Sequence, residues 1–180
     1  MRTRILSLAF VGALVLVSGA VACGNDGDDE AVGALDRETL LNGTYVDSTG
    51  TEVTLVDGIY ERPSANGSRG SVTLHEEIAL GDIGGDANID AVVVLADNGG
   101  GSGTFISLVA VLNVDGTPSP SAYASLGDRV VVHSVAVESG VITVDMTKHD
   151  ADDPLCCPTL RVSSEYELQE SELVLLEKPA

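Results

Sequence analysis

From Thr44 onward, apolar and polar positions alternate in short runs divided by turn residues, the pattern of half-buried strands. Residues 51–56 alternate, then Asp57-Gly58 leads into Ile59-Tyr60-Glu61, the spacing of a two-residue hairpin. The stretch 62–70 is rich in Pro, Ser, Asn and Gly and reads as a loop. Strands are predicted over 72–80, 91–96, 104–114, 121–126, 130–137, 141–146, 161–168 and 173–176. Asp115-Gly116 and Ser139-Gly140 supply turns between four of them. Residues 91–96 are apolar without alternation, which predicts a central strand covered on both faces. One helix is expected, over 36–43, with Asp36 as its cap, Glu38 in the favourable first turn and Gly43 ending it. About nine short strands at regular spacing predict a mostly β fold, an antiparallel meander forming a sandwich or open barrel, with one short N-terminal helix.

Composition agrees with that reading. Of the 180 residues 44% are hydrophobic, enough for a core, and 20 Gly mark many turns. Charge narrows the choice of partners. Twenty-eight acidic residues against nine basic ones give −19, and a mature chain without Arg2 and Arg4 stands at −21. Such a surface repels phosphate backbones and anionic headgroups, which argues against nucleic acid as a partner. It leaves a solvated acidic surface, or one that receives cations or a basic partner.

The N-terminus has a separate logic. Residues 1–4 are basic, 5–22 are apolar, and the run ends in Ala20-Val21-Ala22-Cys23 with Gly24 following. Charged start, apolar centre and small residues at the cut make 1–22 a signal peptide. The cut site resembles the lipobox of bacterial lipoproteins, with Ala20 standing where Leu is usual. That resemblance implies cleavage before Cys23, diacylglycerol on its thiol and acylation of the new N-terminus. An uncleaved span and a plain secretory leader are the competing readings. The acidic stretch after Cys23 lacks the positive flank of an uncleaved anchor. Residues 23–34 then form a flexible acidic tether, reaching on the order of 15–20 Å as a coil, and 35–180 a single β-rich domain.

Four features invite a chemical reading. In the first, Asp82, Asp86 and Asp90 recur at every fourth position of a Gly-rich turn, with Asn88 between the last two. Oxygen ligands at odd positions can wrap a calcium ion. The segment resembles the acidic loops of the FG-GAP and dockerin-like calcium-binding families. It departs from them at Gly84 (no third-position ligand), at Ala87 (in place of the bend glycine) and at Val93 (where a distant Glu would sit). Calcium binding and a structural corner made by hydrogen-bonding Asp residues are both open, and the departures favour the corner.

The second is Cys156-Cys157 between Pro154 and Pro158. With Cys23 lipidated, two adjacent thiols remain in an oxidising compartment. A vicinal disulfide, free or intermolecular thiols, and a redox or soft-metal role are the alternatives. Neighbouring Cα atoms lie about 3.8 Å apart, below the usual disulfide range, so a bond between them is relatively reducible. The third is the Gly-rich stretch 99–103, which lacks the Lys-Ser/Thr of a phosphate-binding loop and reads as a hairpin connection. The fourth is the histidines. His75, His133 and His149 lie in separate segments without zinc-ligand spacing.

No nucleophile elbow, Cys-x-x-Cys pair or nucleophile–base pair stands out, so no catalytic residues are assigned and an enzyme is not expected. The absence of Trp weakens a carbohydrate-binding reading.

The span 77–168 also resembles a group of small bacterial lipoproteins and envelope proteins of uncharacterised activity. The carriers are Ile78-Ala79-Leu80-Gly81-Asp82, Gly99-Gly100-Gly101-Ser102-Gly103-Thr104-Phe105, Ser125-Leu126-Gly127-Asp128-Arg129-Val130 and Asp153-Pro154-Leu155-Cys156-Cys157-Pro158-Thr159. The resemblance implies an exported β domain and carries no activity with it. The expectation is therefore a lipid-anchored extracytoplasmic lipoprotein of the bacterial envelope, facing the periplasm or cell exterior. It binds a partner in the envelope and is held to membrane lipid through acylated Cys23. A calcium-binding or metal-sensing module comes second and an envelope hydrolase third.

Overall fold

The computed structural model describes residues 35–62 and 67–176. The leader, Cys23, the tether, residues 63–66 and residues 177–180 lie outside them.

Asp36 opens the domain as expected, its carboxylate accepting from the Thr39 N–H at 2.7 Å to cap α1 (Arg37–Leu41). Asn42, not Gly43, is the C-cap residue. Gly43 serves a different purpose: a Cβ there would stand 3.0 Å from the ring of Tyr45, so its hydrogen lets that ring lie flat against the chain. The Tyr45 hydroxyl donates to the Leu40 carbonyl at 2.8 Å, tying the helix to the first strand.

Strands β1 (Thr44–Val46) and β2 (Glu52–Thr54) pair with each other as a small antiparallel ribbon. The hairpin expected across Asp57-Gly58 is present only as a turn. Both residues take positive φ (51° and 83°), and a single bridge, Val56 to Ile59, closes it. Beyond that bridge the chain divides, because β3 (Ile59–Arg62) pairs with β4 (Gly70–Gly81) in another sheet.

The largest sheet has the order β3-β4-β5-β6-β7, with β5 (Asp90–Asn98), β6 (Phe105–Val114) and β7 (Thr117–Asp128). A second sheet has the order β11-β10-β9-β8, from β8 (Val131–Glu138), β9 (Val141–Lys148), β10 (Leu160–Gln169) and β11 (Glu172–Leu176). All pairings are antiparallel and neither sheet closes into a barrel, so the expected β meander takes the sandwich form.

β7 runs four residues further toward its N-terminus than expected, through Pro118 and Pro120. Proline lacks the N–H of a ladder, but β7 is an edge strand, where one side makes no bonds. Its register also shifts at Ala110/Val111, opposite Pro120.

Strand β5 explains its own continuous apolar run. Val92 and Val94 point into the sandwich core with Leu108, Ile142, Val144 and Tyr166. Ala91, Val93 and Leu95 point the other way, into a second core made with Leu40, Tyr45, Val53 and Leu55. The described residues thus form three layers: α1 with the β1–β2 ribbon, the five-stranded sheet, and the four-stranded sheet. Among the described residues no helix is long and apolar enough to cross a membrane.

Candidate functional site

The Asp82 corner links β4 to β5, and its backbone depends on its own carboxylates. Asp90, the first residue of β5, is 1% exposed. One of its oxygens accepts from Ile83 N and Gly84 N at 3.0 Å each; the other accepts from Asn113 N at 2.9 Å. Asp82 accepts from Gly85 N at 2.6 Å and from Ala87 N at 3.0 Å. Asp86 accepts from the backbone N–H and the side-chain amide of Asn88, both at 2.9 Å. Each carboxylate therefore neutralises donors that the turn would otherwise leave unpaired.

Three of the four residues expected to hold calcium come together. One carboxylate oxygen from each of Asp82, Asp86 and Asp90 lies within 4.8 Å of the others. Asn88 turns its amide onto Asp86. Ala87, where a glycine is usual in calcium loops, adopts φ 68°, so the bend is made without the glycine.

Beside the corner is a groove of about 450 Å³, lined by the chain from Gly81 to Gly85, by Val137 and the Ser139-Gly140 turn, and by Glu167 and Leu168. Gly81 lets the two sheets meet there: a Cβ on it would come within 2.6 Å of Val137 Cγ1. The groove thus sits where the end of β4 crosses the β8–β9 hairpin, with Asp82 and Glu167 giving it negative charge.

The Gly-rich connection 99–103 joins β5 to β6, as expected of a hairpin loop. It is pinned by Asp128, which accepts from Thr104 N at 2.8 Å, and by Arg129, which donates to the Ser102 carbonyl. Cys156 and Cys157 lie on the β9–β10 connection and are bonded to each other. They stand at the opposite end of the eight-residue strand β9 from the groove, a separation of about 25 Å.

The histidines do not converge on a metal geometry among the described residues. His75 Nδ1 bonds to Glu77 within β4, and His133 Nε2 bonds to the Thr147 hydroxyl at 2.8 Å. The β4 and β8 register shifts fall at these residues, between Leu74 and Ile78 and between Val132 and Ser134. Burial opposes ionisation of Glu77, but the bond from His75 and the nearby charge of His133 outweigh it and hold its carboxyl below the ordinary value.

A further charged cluster went unread in the sequence. Arg62, at the end of β3, donates to Asp47 at 2.7 Å and to Asp97 at 2.6 Å. Asp47 also accepts from Thr49 N, the Thr49 hydroxyl and Thr51 N, and Asp97 accepts from Ser48 N and the Ser48 hydroxyl. The Asp-Ser-Thr-Gly-Thr run at 47–51 carries the Asx-turn signal that marks one side of this cluster. Its other members come from two stretches that read only as loop.

No protein-family model matches the chain, and neither do curated proteins nor solved structures.

Proposed function

We propose that this chain is a lipid-anchored extracytoplasmic protein of the bacterial envelope whose sandwich binds a basic partner rather than transforming a substrate. The anchor rests on the lipobox-like Ala20-Val21-Ala22-Cys23 and on the acidic tether behind it, which lie outside the described residues. The binding reading is carried by the groove at the Asp82 corner. It is concave, it presents Asp82 and Glu167, and the corner beside it is held in shape by its own hydrogen bonds. A lysine- or arginine-bearing segment of an envelope protein has the charge to fill it, and the net charge of the chain steers such a partner inward.

Two measurements test this reading. Cys23→Ala moves the protein from the membrane fraction to the soluble extracytoplasmic fraction; retention in the membrane overturns the anchor. Crosslinking in intact envelopes yields one dominant adduct, which Glu167→Lys removes while the folded fraction is unchanged. A diffuse ladder of adducts that Glu167→Lys leaves as it was overturns the groove.

Calcium is the second reading, favoured by the three carboxylates within 4.8 Å. At calcium a hundredfold above its dissociation constant, binding to the folded state alone adds about 2.7 kcal/mol. The melting temperature then rises by about 5 °C or more. A melt that calcium leaves unmoved removes this reading and leaves the corner as architecture.

A further inference from the structure

The bond between Cys156 and Cys157 joins residues one apart, with Cα atoms 3.8 Å from each other. An ordinary disulfide stabilises a protein by closing a loop in the unfolded chain, and the effect grows with the number of residues enclosed. This one encloses none. Nor does it brace a core: Leu155, Cys156 and Cys157 are all exposed, Leu155 to 77%.

The loop that carries the pair is closed by other means. Asp153 accepts from Asp150 N at 2.8 Å, from Thr159 N at 2.7 Å and from the Thr159 hydroxyl at 2.8 Å. Those bonds hold its carboxyl below the ordinary value, the Asp150 N–H contributing most. A turn bond from Cys157 N to the Pro154 carbonyl, at 2.9 Å, shapes the tip. The disulfide is thus structurally idle, accessible to an attacking thiol, and confined to a spacing below the usual disulfide range.

We infer that Cys156–Cys157 is a reversible two-electron redox site, reduced by a dithiol through thiol–disulfide exchange. A thiolate of the reductant attacks one cysteine sulfur. The S–S bond breaks, a mixed disulfide forms, and the other cysteine leaves as a thiolate that takes up a proton. The second thiol of the same reductant, after losing its proton, attacks its own sulfur in the mixed disulfide. The second cysteine is released and is protonated in turn. Two electrons and two protons reach the pair, and the reductant ends as its disulfide. A disulfide-bearing oxidant reverses the sequence.

The chemistry of the loop also selects the reductant. Asp150, Asp152 and Asp153 lie within seven positions of both cysteines in the chain, against one permanent cation in the same window, Arg161, and the whole chain carries −19. An anionic thiol such as glutathione is repelled at low ionic strength, and a neutral or cationic dithiol is not. The inference depends on the proposed extracytoplasmic placement only for the oxidant that resets the pair, and the groove plays no part in it.

The test uses the full-length chain, purified in detergent without denaturant and treated with dithiothreitol or with glutathione. Free thiols are then alkylated, and the mass of the peptide bearing both cysteines is read. Millimolar dithiothreitol reduces the pair within minutes, so that this peptide is recovered doubly alkylated, and glutathione acts more slowly by a ratio that shrinks as salt is added. The reduced chain melts within about 2 °C of the oxidised one, and a small disulfide oxidant restores the unalkylated mass. The idea is overturned by a pair that stays oxidised until the chain unfolds. It is equally overturned by a larger fall in melting temperature on reduction, as a structural staple would give, or by two thiols that no disulfide oxidant rejoins.

Discussion

The three aspartates of the corner look alike in the sequence and differ in what they support. Asp90 is buried and accepts from three backbone N–H groups, so Asp90→Ala strands buried donors on both β5 flanks. The expected loss is about 3 kcal/mol or more, read as a lowered urea midpoint. Asp86 is exposed and, among the described residues, bonds only to Asn88, and Asp86→Ala is expected to change stability by about 0.5 kcal/mol or less. Equal losses from the two substitutions would show that the corner is held by something other than these bonds. Spacing made the corner legible, because Gly, Asp and Asn mark turns by their own chemistry. The ranking within it was not legible, because Asn113, the third donor group on Asp90, comes from the end of β6 and shares no pattern with the loop.

At the level of elements, local signals were read well and partner choice was not. The Asp57-Gly58 turn is where the dipeptide places it, yet its two flanks join different sheets. Turn chemistry decides how the chain reverses; which strand it then meets depends on the long-range burial of Val53, Leu55 and Val72 in the second core. The doubly covered strand β5 was legible because a strand buried on both faces cannot alternate. The clamp on the ribbon was not. Arg62 joins the turn after β1 to the end of β5, and its side chain is 21% exposed while those of Asp47 and Asp97 are nearly sealed. Arg62→Met leaves two carboxylates facing each other without a cation. Breaking a fully buried pair costs about 3–5 kcal/mol; the partial exposure of Arg62 reduces the expectation to about 2–3 kcal/mol. Hydrogen exchange locates the effect: amides of β1 and β2 lose protection before those of β9. Uniform loss across both sheets would mean that the ribbon does not open by itself.

Across the whole molecule, two opposing electrostatic effects set how stability depends on pH. At neutral pH the large excess of negative charge repels itself more in the compact state than in the unfolded chain, and protonation relieves it. Individual carboxylates work the other way. Burial raises the Asp47 carboxyl, but hydrogen bonds from Thr49, Thr51 and Arg62 overcome that and hold it well below the ordinary 3.8; Glu77 is also held low. A carboxyl depressed in the folded state contributes its full stability above the unfolded value. That contribution is lost as pH falls through the unfolded value toward the folded one, because the unfolded chain binds the proton first. General relief begins as the ordinary carboxylates start to titrate, near pH 5, and the specific losses follow below about pH 4. Stability should therefore stay nearly level from pH 8 to about pH 5, rise slightly as the ordinary carboxylates begin to titrate, and fall steeply below about pH 4, with added salt raising the neutral limb. At the alkaline end burial, reinforced by Tyr123, pushes the Tyr45 hydroxyl above its ordinary 10.0. The unfolded chain then loses its proton first, and stability is lost as pH climbs past 10. Urea midpoints from pH 3 to 8 decide the acid side. In Asp47→Asn the steep limb should be shallower, because the substituted residue has no proton to gain. A stability that keeps rising down to pH 3 would show that charge repulsion, and not the Arg62 clamp, governs the acid behaviour of this fold.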